Sequence, residues 1–111
     1  MATKDHLIER VLSILNVSAA GQGIAAEDAA LVDRLIVPTF ENLRARRYAP
    51  QIDIENIPDA LFEDLAECVA MRCAADFGLT MDPARMAGAE ERLRTATADG
   101  PAYGPIQTMY F

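Results

Sequence analysis

The stretch from Pro58 to Gly78 constrains the fold more than any other part of this chain. Pro58 suits the first position of a helix, where its missing N–H costs nothing. Gly78 suits the residue just past the end, where a left-handed backbone is needed. Between them Phe62, Leu65, Val69, Cys73 and Phe77 recur at helical spacing, and Ala66, Ala70 and Ala74 make a second stripe of small residues. A helix apolar on one face can lie on a surface, but one apolar on two faces must be covered on both. The pattern therefore predicts a central helix over 58–77, with the alanine stripe letting a neighbour approach closely. Glu63, Asp64 and Glu67 fall on the remaining strip and are expected to be a solvated face.

Three other segments supply the neighbours. Over 3–16, Thr3 stands as an N-cap and Asp5 complements the dipole, while Leu7, Ile8, Val11, Leu12 and Leu15 share one face. A small-residue loop, Ser18 to Gly23, follows. Over 26–47, Ala29, Val32, Ile36, Phe40 and Leu43 step by three and four, with Ala25 offering no cap. Pro38 lies inside that stripe; it lacks an N–H for the Arg34 carbonyl and its ring crowds the preceding turn, so a bend or break is expected. Asp82 and Pro83 form a cap and first-position pair for a fourth helix over 83–97, whose apolar stripe of Met86, Ala89, Leu93 and Ala96 is thin. It belongs on the outside, with Glu90 and Arg94 as an i,i+4 pair. Between Pro50 and Pro58, Ile52-Asp53-Ile54-Glu55 alternates with a period of two and reads as an extended connector pinned by its isoleucines.

The expected fold is therefore all-α: a small four-helix bundle with a central apolar helix, an extended connector around 50–57 and an extended C-terminal arm. Residues 1–99 make the helical domain and 100–111 the arm. Alanine, the best helix former, supplies 20 of the 111 residues. At this length about two-thirds of the surface can be buried, enough for one core without disulfide or metal. No apolar run approaches a membrane span and nothing resembles a cleavable leader, so neither a membrane nor secretion is expected. Cys68 and Cys73, five apart, point about 140° apart on a helix and cannot bridge; they read as small buried hydrophobes in a reducing compartment.

The residues that would carry chemistry are sparse. His6 is the only histidine, and no spacing suggests a nucleophile with its base, so no catalytic residue, cofactor or metal is expected. Gly21-Gln22-Gly23 follows a helix rather than a strand and is a weak phosphate loop. The one basic cluster is Arg44, Arg46 and Arg47 beside Tyr48, a candidate inter-subunit or DNA-facing patch. The competing reading is that these cations close the helix and pair with acidic neighbours. With 10 basic against 17 acidic side chains, net −7, the chain is not built to grip a phosphate backbone. The arm carries Tyr103, Pro105, Ile106, Met109, Tyr110 and Phe111, an apolar set that a solvated tail would not need.

Taken in order, these segments resemble the head-to-tail connector proteins of tailed bacteriophages, the adaptors or packaged-DNA-stabilising proteins beneath the portal. The likeness runs through Ala19-Ala20-Gly21 and Ala26-Glu27-Asp28-Ala29-Ala30, then Ile57-Pro58-Asp59-Ala60-Leu61-Phe62 with Leu65 and Ala70. It continues through Ala74-Ala75-Asp76-Phe77-Gly78 and ends on Tyr103-Gly104-Pro105-Ile106 and Tyr110-Phe111. Ala25, where a capping serine is usual, and Pro38 depart from it. The resemblance implies a structural virion protein, made in the host cytoplasm, that assembles as a homo-oligomeric ring, commonly of twelve. Its partners would be the portal protein and tail or further connector proteins. Packaged DNA would pass through without tight binding, and the arm would dock on the portal. The alternative reading is a small acidic all-helical bacterial module that binds a regulatory partner.

Overall fold

The computed structural model of the chain describes residues 2–17 and 25–98; the Gly21–Gly23 loop and the arm 100–111 lie outside them. Four helices follow one another: α1 Lys4–Ile14, α2 Ala26–Ala45, α3 Asp59–Cys73 and α4 Pro83–Ala98, with a 3₁₀ turn, Ala74–Phe77, continuing α3. The fold is all-α, as expected, and α3 is its centre, packing against α1, α2 and α4. Leu65, Ala66, Val69, Ala70 and Cys73 are buried on it, so both predicted stripes are covered. Phe62 and Phe77, at the ends of the larger stripe, are only half-buried. No helix among the described residues is long and apolar enough to cross a membrane.

Each helix end has a local cause. Thr3 caps α1 by accepting from the His6 N–H at 3.4 Å, and its own N–H donates to His6 Nδ1 at 3.2 Å. This is a reciprocal capping box with histidine in the place usually taken by Glu or Gln. The helix stops at Ile14, two residues short of the expected end. Asn16 takes a left-handed backbone (φ 58°), and the Val17 N–H turns back to the Leu12 carbonyl. α2 ends the same way, at Ala45 rather than 47: Arg47 is left-handed (φ 65°) and the Tyr48 N–H reaches the Leu43 carbonyl. Pro58 sits one residue outside α3, as its N-cap, and not at the first helical position. Gly78 closes the 3₁₀ turn at φ 75°, with the Leu79 N–H on the Ala74 carbonyl. Asp82 caps α4, its Oδ1 accepting from the N–H groups of Ala84 and Arg85.

Of the bend or break expected at Pro38, the break does not occur; α2 is one helix of 20 residues containing it. Pro38 and Arg34 are both exposed, so the carbonyl that loses its partner lies on the face open to water. On the opposite side Val32, Ile36, Thr39 and Leu43 are fully buried and anchor the helix to the core on both sides of Pro38. Thr39, which the apolar pattern did not single out, satisfies its buried hydroxyl by donating to the Leu35 carbonyl at 2.6 Å. Tertiary packing here outweighs a local propensity cost of about 3 kcal/mol.

The 50–57 segment is pinned by isoleucines, but it is not extended throughout. Asp53 makes a turn, its Oδ1 accepting from the Glu55 N–H and its carbonyl from the Asn56 N–H, both at 2.9 Å. Ile57 then forms an antiparallel bridge with Ala2, donating to its carbonyl at 2.7 Å and accepting from its N–H at 3.1 Å. Ile57 is fully buried, while Ile52 and Ile54 are half-buried.

The continuous α2 gives the first expectation. Replacing Pro38 by alanine restores the missing N–H without touching the core. The gain in helix propensity exceeds the loss of unfolded-state restriction, leaving about 1–2 kcal/mol of stabilisation. Urea denaturation of Pro38→Ala should show a raised midpoint with unchanged slope; a lowered midpoint would mean that the proline relieves a strain in α2.

Candidate interaction surface

The acidic strip of α3 is not solvated in the way the sequence suggested. Each of its three carboxylates holds an arginine from a neighbouring helix, one from α1 and two from α4. Glu63 takes Arg10 of α1 in a forked pair, with Nη2 to Oε2 at 2.6 Å and Nε at 2.9 Å from both oxygens. Glu67 takes Arg85 of α4 through both oxygens, and Asp64 takes Arg92 of α4 at 2.8 Å. The Glu67 and Asp64 side chains keep only 13% and 18% of their exposure, so the guanidinium groups lie over them as covers. α3 thus presents its two apolar stripes to its neighbours and bonds them along the third strip. The clue was available: Arg85 and Arg92 are seven apart on one face of α4, complementary to the acids of α3.

Two of the three arginines of the basic cluster are likewise used from within. Arg44 pairs with Glu41 one turn back, at 2.6 Å. Arg46 makes two bonds to Glu90 of α4, at 2.8 and 3.1 Å, and its guanidinium stacks over the Tyr48 ring at 4.6 Å. Arg47 is exposed at the left-handed position that ends α2. The i,i+4 pair expected between Glu90 and Arg94 is therefore not formed. Glu90, only 8% exposed, turns inward to Arg46, and Arg94 pairs with Glu91 instead. Glu90 stands beside Ala89 and Leu93 on the covered side of α4, whereas Ala96, placed in that stripe by sequence, is exposed. Asn42 extends the same junction, its Oδ1 accepting from Arg46 at 3.2 Å and from Arg72 of α3 at 2.7 Å. With Lys4 on Asp33, at least seven of the ten basic side chains are ion-paired within the chain.

The titratable groups follow from these contacts. Hydrogen bonds from Arg10 hold the Glu63 carboxyl below the ordinary range, against the opposing effect of its partial burial. Burial pushes the Cys68 thiol up to about 12, and burial with nearby Asp76 pushes Cys73 up to about 11. Both cysteines are free and buried, which is the small-hydrophobe role expected of them. Among the described residues no group of three or more His, Cys, Asp or Glu side chains is placed to hold a metal ion.

What the surface does offer is apolar. Val37 is 51% exposed, and Leu79 and Met81, in the link before α4, are 44% and 40% exposed. Val37 belongs to a shallow groove of about 100 Å³ between α2 and the 50–57 segment. Phe40, Ile52 and Ile54 complete its apolar lining, with Glu41 and Arg44 among its polar edges. Neither polar residue is poised for chemistry, since they are paired with each other. The groove is suited to taking apolar side chains. The aromatic arm that sequence singled out, Tyr103 to Phe111, lies outside the described residues.

Two measurements follow. Glu63 has a lowered pKa in the folded chain, so its contribution is present above the unfolded carboxylate pKa and is lost as pH falls through the folded value. The pair is half-exposed, so Glu63→Gln should cost at most about 1 kcal/mol at neutral pH, and the difference from the parent should vanish in acid. A difference that persists at pH 2 would mean that packing, not charge, is lost. Random duplex DNA should bind more weakly than about 1 µM at roughly 0.15 M salt, because the free cations neutralise too few phosphates. Fluorescence anisotropy showing tighter binding would contradict the internal pairing of the arginines. Compared with protein-family models, with curated proteins and with solved structures, the chain gives no match.

Proposed function

We propose that this chain is a head-to-tail connector of a tailed bacteriophage, a structural virion protein that forms a ring under the portal. In this reading it extends the DNA channel, helps to retain packaged DNA and provides the platform on which a tail or a further connector assembles. The observation that carries the reading is the internal use of the cations. A channel for DNA must not hold phosphates, and this chain bonds most of its arginines to its own carboxylates while carrying a net charge of −7. Such a wall repels a sliding polyanion rather than trapping it. The sequence likeness to connectors, running from the first helix to the aromatic arm, is what points to this assembly rather than another. A rigid helical body with an exposed apolar groove supplies a part that can be built into one.

The groove beside Val37 also suits the alternative, an acidic module that binds a helix of a regulatory partner. The two readings separate on one experiment. DNA-filled, portal-bearing heads lacking their connector are mixed with the purified chain and sedimented. The connector reading expects co-sedimentation in a ring-sized ratio and retention of DNA. A chain lacking residues 101–111 should keep the parent melting temperature and fail to join the heads. Heads that leave the full chain in the supernatant would overturn the connector reading.

A further inference from the structure

The four-residue face that builds the groove has a definite position on α2. At 100° per residue, Val37, Phe40, Glu41 and Arg44 centre about 170° around the helix from Asn42 and Arg46. Those two are the residues that bond α3 and α4, through Arg72 and Glu90. The groove and α4 therefore lie on opposite flanks of α2. They nonetheless share one end of the molecule. Arg46, just past the end of α2, is bonded to Glu90, and α4 runs two further turns to Ala98. The sequence then continues for thirteen residues, 99–111. Tyr103 is five residues past Ala98, a reach of about 17 Å when extended, and Ile106 is eight past, about 27 Å.

A donor segment on one flank and an acceptor groove on the other is the arrangement that links copies head to tail. A heterologous contact of that kind closes into a ring when the rotation per subunit completes a circle and otherwise runs on as a filament. We propose that the groove formed by Val37, Phe40, Ile52 and Ile54 receives Tyr103 and Ile106 from a second copy of this chain, so that the first part of the arm joins neighbouring subunits. The inference rests on the ring reading above and gives that ring its joint. A space of about 100 Å³ admits one large side chain, not the whole arm. In this joint Tyr103 enters it and Ile106 lies across its open side, and Met109, Tyr110 and Phe111 remain for the portal. With α4 and the groove on opposite flanks of α2, the chain's own arm would have to cross α2 to enter its own groove, whereas the arm of a second copy would not. One such contact buries little area, so pairs of free subunits should associate weakly and the ring should gain its strength from many joints.

Intermolecular paramagnetic relaxation detects contacts this weak. Gln107→Cys in the full chain is coupled to a nitroxide; buried Cys68 and Cys73, with thiols pushed up to about 12 and about 11, leave the new cysteine as the reactive one. This chain is mixed at about 1 mM with methyl-labelled parent chain that carries no nitroxide. We expect broadening of the Val37, Ile52 and Ile54 methyl signals, severalfold above that of the methyls of Leu7 and Val11 in the core. Val37→Asp in the methyl-labelled chain should abolish it at Ile52 and Ile54, and the half-exposed position of Val37 keeps that variant folded. Tyr103→Ser with Ile106→Ser in the nitroxide-bearing chain should abolish it from the other side. Absence of broadening overturns the inference, as does broadening seen only when nitroxide and methyl label share one molecule, which would place the arm in its own groove. Attachment to heads without intermolecular broadening overturns this joint and leaves the connector reading standing; broadening without attachment does the reverse.

Discussion

Every helix in this structure is placed by its contact with α3, and α3 holds its neighbours by two different means. Its apolar stripes are buried without direction, since burial of Leu65, Val69 or Ala70 specifies that something covers them but not at what register. The acidic strip adds the direction. Glu63 fixes α1 through Arg10, while Asp64 and Glu67 fix α4 through Arg92 and Arg85, two points seven residues apart along one helix. A forked contact at Glu67 and a single bond at Asp64, at that separation, set the angle of α4 as well as its position. A thin apolar stripe is enough for α4 because these bonds supply what its core contacts, Ala89 and Leu93, leave unspecified.

The same bonds explain which parts of the fold could be read from sequence. The stripes of α1, α2 and α3 and the caps at Thr3, Asp82 and Gly78 follow from periodicity and local backbone chemistry, and all are present. What periodicity cannot give is the partner of a charge. Glu90 and Arg94 are spaced for an intrahelical pair, but Glu90 faces the covered side of α4, where Arg46 arrives from α2. A solvent-screened local pair yields to a less exposed one. The end of α2 shifted for a related reason: Arg47 is not glycine, so nothing in its identity marks it as the left-handed residue at which α2 stops, whereas Asn16, which ends α1, is of a type that tolerates that backbone. Pro38 was legible as a cost but not as a tolerated one, because its tolerance depends on Arg34 facing water and Thr39 facing the core.

The candidate functional surface was legible only by elimination. Sequence pointed to Arg44, Arg46 and Arg47 as the conspicuous patch, and the fold consumes two of them. The groove beside Val37 gave no signal, since Ile52 and Ile54 read as anchors of a connector and Val37 falls outside the apolar stripe of α2. It exists because the Asp53 turn lays two isoleucines against the outer face of α2. An acidic body that pairs most of its cations internally and carries an apolar groove on one flank is consistent with the repeated part of an assembly proposed above.

The central claim is that the arginines hold this fold together rather than serve a ligand. A double-mutant cycle on Arg85 and Glu67, read by urea denaturation, tests it most directly, with the exposed Arg94 and Glu91 pair as the reference. Glu67 is mostly covered, so replacing each partner by its neutral counterpart singly and together should give a coupling of roughly 0.5–1 kcal/mol. The Arg94 and Glu91 pair, open to water on both sides, should give no measurable coupling. Equal coupling in the two pairs, or none in either, would contradict the account and return the arginines to the surface as free cations.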